Sequence, residues 1–519
     1  MKKRIAAVSI FLILISPAGF SVQQKNLSLS LEDCIVGTMR NNLSIAVEIL
    51  NPEIADINAS RAKERFMPAF SFNINNEENN SASYSWFDAA DVVRTALKEY
   101  TVSLDQSIPT GGRFTASLRS YKSDTNRRLQ TINPRYGSTL TLDFTQPLLK
   151  DFGFKISRRE IIIANNNREI SENQFNHILL NTIFSVEEAY WNLVYSIENL
   201  KVRKQSLQLA QDLLEENKKK IEVGSMAPIE IYTAQAEVAT REAEILQAEA
   251  LIKNNEDLLK TIINLAASEG GDGVEILPTD KPVYEKREVK LEEALVTALE
   301  NRPDLKATKI DLKSKELNVS YAKNQLLPEL NLQASYWSPG ISGDQILYLN
   351  NNALTGVVVG TIEGAPANAL KDALKFKYDN WSVGLTLSIP LNTIVSRAAY
   401  AEARVSLEQA MLRMQNQEQQ IFLEIKTAVR AVQTNYKSVQ AYTAARELAE
   451  KKLEAEGEKF RVGKSTNYLL LQYQRDAANA RSTELKAIID YNLSLAHLDR
   501  VLGTTLKSKN IKFADIGRE

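Results

Sequence analysis

The side chains best suited to chemistry are few in this sequence, and they lie far apart. The chain has 519 residues, one cysteine (Cys34) and two histidines (His177 and His497). One thiol cannot form an internal disulfide, and a zinc site needs clustered Cys and His ligands. The sequence has no Gly-rich phosphate loop and no Gly-x-Ser-x-Gly elbow, and its carboxylates mostly follow the spacing of exposed helix faces. We therefore predict no catalytic residue, no metal site and no cofactor.

Composition narrows the class of protein and of partner. The 63 basic and 64 acidic residues give a net charge of −1, so no basic field favours nucleic acid. Glycine and proline number only 20 and 14, and segments such as 154–223 and 229–269 contain neither. This predicts long uninterrupted helices rather than a string of compact domains.

Residues 1–21 have the pattern of a secretion signal. Three basic residues at positions 2–4 precede the apolar run 5–15, and Gly19 and Ser21 suit cleavage after Ser21. The apolar run is too short to span a bilayer, and no later run of 18 or more apolar residues follows. We predict an exported protein without a transmembrane helix.

The rest of the sequence is duplicated. Segments 31–42 and 62–72 recur as 291–302 and 322–332, and the Val223-Gly224 pair recurs as Val462-Gly463. We predict a first repeat over 22–288, a second over 289–506 and a tail over 507–519. In the first repeat we expect a helix over 31–67, β-strands at about 69–147, long helices at about 154–223 and 228–266, and a linker over 267–288. In the second we expect a helix over 291–327, β-strands at about 329–390 and long helices at about 393–462 and 466–502.

The strand segments alternate between apolar and polar residues, as in Trp381, Val383, Leu385 and Leu387. Lengths of about nine to eleven residues suit a tilted crossing of a bilayer, with lipid on one face and water on the other. A soluble β-sandwich with one wet face would alternate in the same way. One chain has too few strands to close a membrane barrel, and open edges are not tolerated in lipid, so several protomers must contribute. Aromatic residues near strand ends suit the membrane interface: Tyr84, Trp86, Tyr100, Tyr136, Trp337 and Trp381.

The long helices carry apolar residues every seven positions, such as Leu193, Leu200 and Leu207, which is coiled-coil spacing. An ordinary antiparallel coiled-coil hairpin would show the same pattern. The order of elements, twice repeated, decides between these interpretations.

That order resembles the TolC-like outer-membrane efflux protein family. The resemblance rests on the paired openings Leu31-Glu32-Asp33 and Leu291-Glu292-Glu293, Pro68 and Pro328, Gln146-Pro147-Leu148-Leu149 and Ile389-Pro390-Leu391, and the two Val-Gly turns. It implies an α+β membrane protein whose homotrimer forms a transmembrane β-barrel, continued by a long periplasmic coiled-coil barrel of helices. It further implies a passive channel in the outer-membrane lipid, serving tripartite efflux or type I secretion. Its partners would be a periplasmic adaptor (membrane fusion protein) and an inner-membrane RND or ABC transporter.

The resemblance also implies functional sites. Adaptors would dock at the two periplasmic tips, although each glycine is also expected simply to close a helical hairpin. In the best-known member of the family, acidic side chains shortly after the second turn form a ring that narrows the closed gate. The matching positions here are Leu469 and Gln472, with Glu230 and Thr233 in the first repeat, so we expect an apolar and amide constriction. The tip residues are Val223, Gly224, Ser225, Val462, Gly463, Lys464 and Ser465.

Two features depart from the family pattern. An extra hairpin near residues 100–121 would give eighteen strands per trimer if it joined the barrel, or leave the usual twelve if it folded over the top, which we favour. Residues 338–380 lack strand alternation for most of their length, which predicts an extracellular loop. The alternative function is a periplasmic adaptor or a structural coiled-coil protein.

Overall fold

The computed structural model describes residues 25–85, 88, 90–265, 274–509 and 511. The predicted signal segment, Trp86, most of the predicted tail and residues 267–273 of the predicted linker lie outside the described residues. In the first half the elements are β1 (Lys25–Leu29), α1 (Leu31–Asn41), α2 (Leu43–Glu48), α3 (Leu50–Glu64), β2 (Ala69–Ala82), β3 (Val92–Ser107), β4 (Arg113–Thr125), β5 (Ile132–Pro147), α4 (Phe154–Ser157), α5 (Arg159–Glu222) and α6 (Ile229–Ile263). In the second half they are β6 (Val274–Pro278), α7 (Leu291–Asn301), α8 (Pro303–Asn324), β7 (Glu329–Tyr348), β8 (Val358–Ile362), α9 (Pro366–Leu374), β9 (Asn380–Ser388), α10 (Ile394–Arg461), α11 (Asn467–Leu502) and α12 (Thr505–Ser508).

These elements form two compact units, one comprising 1–47, 177–302 and 421–519, the other 48–176 and 303–420. Helices α5, with 64 residues, and α10, with 68, contribute to both. No helix among the described residues is both long enough and apolar enough to cross a membrane.

The second unit contains a seven-stranded antiparallel sheet. Its order is β2-β3-β4-β5-β7, and β7 then pairs with β9 along its first half and with β8 near its end. The alternating side chains explain the sheet, since they leave one face apolar and the other polar. The extra hairpin is β3 and β4, and it lies between β2 and β5 within the sheet.

Residues 338–380, predicted as a loop, contain regular structure. Strand β7 continues to Tyr348, and β8 and α9 follow. The pattern is hidden because Ser338, Pro339 and Gly340 replace the large apolar residues of a typical strand. Their small size has a packing reason: a Cβ on Gly340 would stand 2.0 Å from the carbonyl oxygen of Ala369 in α9.

Each opening helix is divided, where single helices over 31–67 and 291–327 were expected. Helix α1 ends at Asn41 and α7 ends at Asn301, and the residue that follows each of them, Asn42 or Arg302, has an extended backbone. Asn42 accepts a hydrogen bond from the Ile45 amide, which starts the next helix, and Pro303 begins α8. The break recurs at matching places in the two repeats.

In the first unit, Tyr190 of α5 makes the hydrogen bonds that link this helix to the ends of β1 and β6. Its hydroxyl contacts a carboxylate oxygen of Asp280 at 2.9 Å, and the same oxygen accepts the Leu31 amide at 2.6 Å. This ties α5 to the parallel pair β1 and β6. Burial raises the pKa of Tyr190 to about 12 and that of the neighbouring Cys34 thiol to about 12, so both groups are neutral structural residues at physiological pH.

Candidate functional site at the two helical turns

The first turn joins α5 to α6. Gly224 has a φ of 72°, a left-handed conformation that glycine adopts without steric cost. The amide of Ser225 donates to the carbonyl of Lys220 at 2.8 Å, and the amide of Gly224 donates to that of Ile221 at 2.9 Å. This pair of bonds is a Schellman motif, which satisfies the last carbonyls of α5.

The second turn, between α10 and α11, repeats that backbone. Gly463 has a φ of 74°, and the Lys464 amide donates to the Lys459 carbonyl at 2.8 Å. Its side chains add contacts that the first turn lacks. Ser465 donates to Glu456, and Thr466 caps α11 by accepting the Leu469 amide at 3.3 Å.

Both turns leave their outer surface open to solvent. Val223 and Val462 are 77% and 66% exposed, and Gly224, Ser225, Gly463 and Lys464 are exposed as well, whereas Ser465 is half-buried. Hydrogen bonds from Ser465 and Lys459 lower the pKa of Glu456. The charged form of Glu456 therefore links the end of α10 to Ser465 across the second turn.

The four predicted constriction residues differ in exposure and in their hydrogen bonds. Thr233 and Gln472 are exposed, and Leu469 is 36% exposed. Glu230 contacts the other hairpin, because its carboxylate accepts from the Asn467 side chain at 3.1 Å. No hydrogen bond joins any two of the four in the part of the chain that the structure describes.

Asn467 is one of the residues that sequence reasoning missed. It is 3% exposed, and its amide oxygen accepts from Asn217 of α5, which is completely buried, at 2.9 Å. The two asparagines and Glu230 form a polar chain from one hairpin to the other. The sequence did contain an indication of this buried polar residue. Asn217 lies three residues after Leu214, at a position where a heptad seam normally holds an apolar residue.

An apolar cluster adjoins this polar chain. Phe460 of the second hairpin packs with residues of both hairpins, and Lys220 places its ammonium 4.0 Å from the centre of the Phe460 ring. A cation over an aromatic face is attracted by the ring quadrupole. The two turns therefore lie side by side in one packed end of the unit. The other members of the cluster are Leu213, Leu470 and Leu471, with Met226 and Leu453 packed against them.

Further from the turns, Arg241 of α6 was also missed. It is 2% exposed, yet its guanidinium donates to the Ser206 carbonyl at 2.5 Å, to Gln474 at 3.2 Å and to Glu237 at 3.2 Å. Burial lowers the pKa of Arg241, and Glu237 opposes that shift. Arg475 of α11 also binds Glu237, at 2.7 Å. We call these four side chains, of Arg241, Glu237, Gln474 and Arg475, the Arg241 cluster; it joins α6 to α11.

The described part of this end of the unit consists of exposed turns and non-covalent contacts. No group of three or more His, Cys, Asp and Glu side chains could hold a metal ion within the described ranges. The arrangement offers two exposed turns and a set of non-covalent contacts between hairpins. Such contacts can form and break without a chemical step.

The sequence of this chain is similar to one family of known proteins. The sequence matches the outer membrane efflux protein family over residues 113–265 and 294–504, which is more than two thirds of the chain. No match was found among curated protein sequences.

Several solved structures share the fold. The outer-membrane channel OprN is 16% identical with a TM-score of 0.64, over 91% of this chain and 90% of that one. The CmeC outer membrane channel of Campylobacter jejuni is 16% identical with a TM-score of 0.60, over 98% of both chains. The MtrE outer membrane channel of Neisseria gonorrhoeae, in its open state, is 19% identical with a TM-score of 0.60, over 92% of this chain and 89% of that one.

Proposed function

The chain belongs to the outer membrane efflux protein family, and from that premise we propose that three copies form a passive exit duct of a tripartite efflux or type I secretion system. Family membership confirms the predicted resemblance. The protein is an efflux channel of the outer membrane with a periplasmic extension, and it is not an enzyme. The alternative of a periplasmic adaptor or structural coiled-coil protein is therefore abandoned.

The open sheet carries the proposal of a homotrimer. Every residue of β2 is exposed, and Phe70 and Phe72 on it are 70% and 54% exposed. The other edge strand, β9, exposes Trp381 and Leu385 to 72% and 65%. Unpaired edges with apolar side chains are unstable in lipid and in water alike, unless a further copy of the chain covers them.

Two measurements on one preparation test this proposal. The protein should stay in the membrane fraction after carbonate treatment, and its detergent-solubilised mass should equal three chains. Release by carbonate would contradict membrane insertion, whereas a membrane-bound single chain would contradict only the trimer.

Docking of a periplasmic adaptor at the two turns is supported by their exposure and their repeated backbone. A photo-crosslinking amino acid at Val223 or Val462 should capture the adaptor in cells. Leu246 of α6 is a matched control, because it is 68% exposed but lies away from both turns. Equal capture from Leu246 would contradict specific docking. The inner-membrane RND or ABC transporter should appear in the same crosslinked complex.

The proposed gate is an apolar and amide constriction near the turns, in which Glu230 is the only carboxylate of the four predicted residues. Its contact with Asn467 supports the proposal, because a carboxylate held by an amide is less free to bind cations. Block of the conductance by multivalent cations should be weak, and Glu230→Gln should abolish what remains. Strong block that Glu230→Gln leaves unchanged would refute this gate.

The domain layout remains a proposal as well. We propose a signal over 1–21 that is removed on export, followed by the two repeats. The mass of the mature protein isolated from membranes tests the cleavage site after Ser21.

A further inference from the structure

The β3–β4 hairpin is part of the sheet over its whole length. Strand β2 pairs with β3 from Ala69 opposite Asp105 to Ala82 opposite Val92. On the other side, β4 pairs with β5 from Arg113 to Ser123. The hairpin therefore separates β2 from β5, which it could not do if it folded away from the sheet.

The hairpin also has the same two faces as the other strands. Residues directly opposite each other on paired strands lie on the same face of a sheet. On β3 and β4, Val102 and Leu118 continue the apolar face, in line with Phe72 of β2 and Leu140 of β5. A second apolar row crosses all six long strands in the order Phe70, Leu104, Ala116, Leu142, Tyr336 and Trp381.

The opposite face of the hairpin is polar and internally paired. Ser103 and Ser117 lie in one row with Ser71 and Thr141. Nearer the hairpin turn, Asp105 accepts from Thr115 at 2.7 Å and from Arg113 at 3.2 Å. Farther from the turn, Arg119 pairs with Glu99. A polar face of this kind suits water, and an apolar face suits lipid.

The two open edges of the sheet are complementary in direction. Each of the six long strands is antiparallel to the next, so β2 and β9 run in opposite directions. Strand β2 has 14 residues. The opposite edge is formed by β9, whose 9 residues pair with β7 from Glu329 to Trp337, whereas β8 pairs with β7 only from Gln345 onward.

We propose that each protomer supplies six strands to the membrane wall, so that the trimer closes an eighteen-stranded barrel, with β2 of one copy paired to β9 of the next. This inference rests on the proposed trimer. It revises the twelve strands favoured from the sequence. Barrel diameter grows about linearly with strand number, so the lumen would be roughly one and a half times as wide. A polar lumen of that width would admit bulky hydrophilic cargo.

The distance between equivalent residues of the trimer tests the strand number. With strands about 4.8 Å apart and tilted by about 40°, the barrel radius is about 18 Å for eighteen strands and about 12 Å for twelve. Three equivalent sites on the wall then lie about 30 Å or about 20 Å apart. A spin label on Thr141→Cys in lipid nanodiscs reports this distance by pulsed EPR, and the single native cysteine, Cys34, is only 1% exposed.

We expect a distance near the larger value. A distance near the smaller value would overturn the six-strand wall while leaving the trimer intact. The absence of any distance between labels would instead contradict the trimer, and with it the proposed function. Deletion of residues 92–125 removes the hairpin and should shift the distance to the smaller value, which makes it the matched control.

A second measurement tests the proposal even if the deletion variant does not assemble. Leu118 and Ser117 are adjacent on β4 and lie on opposite faces. In the six-strand wall, a label at Leu118 should be relaxed by oxygen dissolved in lipid, and a label at Ser117 by a water-soluble nickel reagent. If both labels respond mainly to the nickel reagent, the hairpin lies outside the membrane and the proposal is wrong.

Discussion

Replacing Arg241 by methionine should weaken the contact between the two hairpins. The guanidinium is 2% exposed and donates to carbonyl oxygens on two helices, those of Ser206 at 2.5 Å and Leu471 at 3.4 Å. It also forms an ion pair with Glu237, whose side chain is 11% exposed. Methionine keeps part of the apolar stem but removes the charge and every donor.

The loss of stability expected for Arg241→Met follows from the burial of the guanidinium. Removing one partner of a buried ion pair costs about 3–5 kcal/mol, because the other charge is left without compensation. Here Glu237 keeps its bond to Arg475, so the lower value applies, about 3 kcal/mol. For a unit of this size 1 kcal/mol corresponds to roughly 2 °C. The apparent midpoint of thermal unfolding should therefore fall by about 6 °C, measured at one scan rate because such proteins unfold irreversibly.

Arg475→Met is the matched control, since it removes the other partner of Glu237. The Arg475 side chain is 54% exposed, and exposed pairs contribute about 0–1 kcal/mol. Its midpoint should move by no more than about 2 °C. The double variant Arg241→Met, Glu237→Gln should recover part of the loss, because it also removes the buried negative charge. Equal midpoints for Arg241→Met and Arg475→Met would refute the reasoning.

Three further outcomes are expected. Burial lowers the pKa of His497, so the folded protein favours the neutral side chain. The stability that comes from neutral His497 should be present above about pH 6.5 and lost as the pH falls below that value. His497→Gln should therefore reduce the change in the thermal unfolding midpoint between pH 7.5 and 5.5. Gly463→Ala, at a φ of 74°, should lower the midpoint, whereas Gly457→Ala inside α10 should raise it slightly; shifts of the same sign would contradict the role of the turn. Gly340→Ala should displace α9 and lower the yield of folded protein, whereas Gly384→Ala, with no atom within 4 Å of its new Cβ, should not; equal yields would contradict the packing argument.

The sequence predicted those parts of the fold that depend on one periodic pattern. Alternation located β9, and the heptads and scarce glycines indicated the long helices. Alternation did not reveal the second half of β7, because Pro339 and Gly340 interrupt the pattern. Only the packing of α9 against this part of the strand explains them. The periodic patterns also missed the breaks at Asn42 and Arg302, where one extended residue divides an otherwise helical segment.

Contacts between the repeats could not be predicted in the same way. The turns were recognisable because a Val-Gly pair marks each one. Asn467, which contacts Glu230, and Gln474, which contacts Arg241, each lie more than 200 positions away from their partner in the chain. Which of these side chains meet depends on how one hairpin is aligned against the other. In the sequence alone, a buried arginine in a helix cannot be distinguished from an exposed one, because its neighbours in space are not known.

The duplication makes these contacts informative, because the two hairpins share a backbone but not their buried polar residues. The position in the second repeat that matches Arg241 is Ala480, so the buried charge comes from one hairpin only. If the channel opens by separation of the turns, contacts close to the turns should break first. The Asn467 side chain donates to the half-buried Glu230 carboxylate at 3.1 Å and to the Glu230 carbonyl at 3.5 Å, whereas Arg241 makes several hydrogen bonds in a buried site. Separation should therefore begin at Glu230 and Asn467 and stop at the Arg241 cluster, which would stay closed in both states.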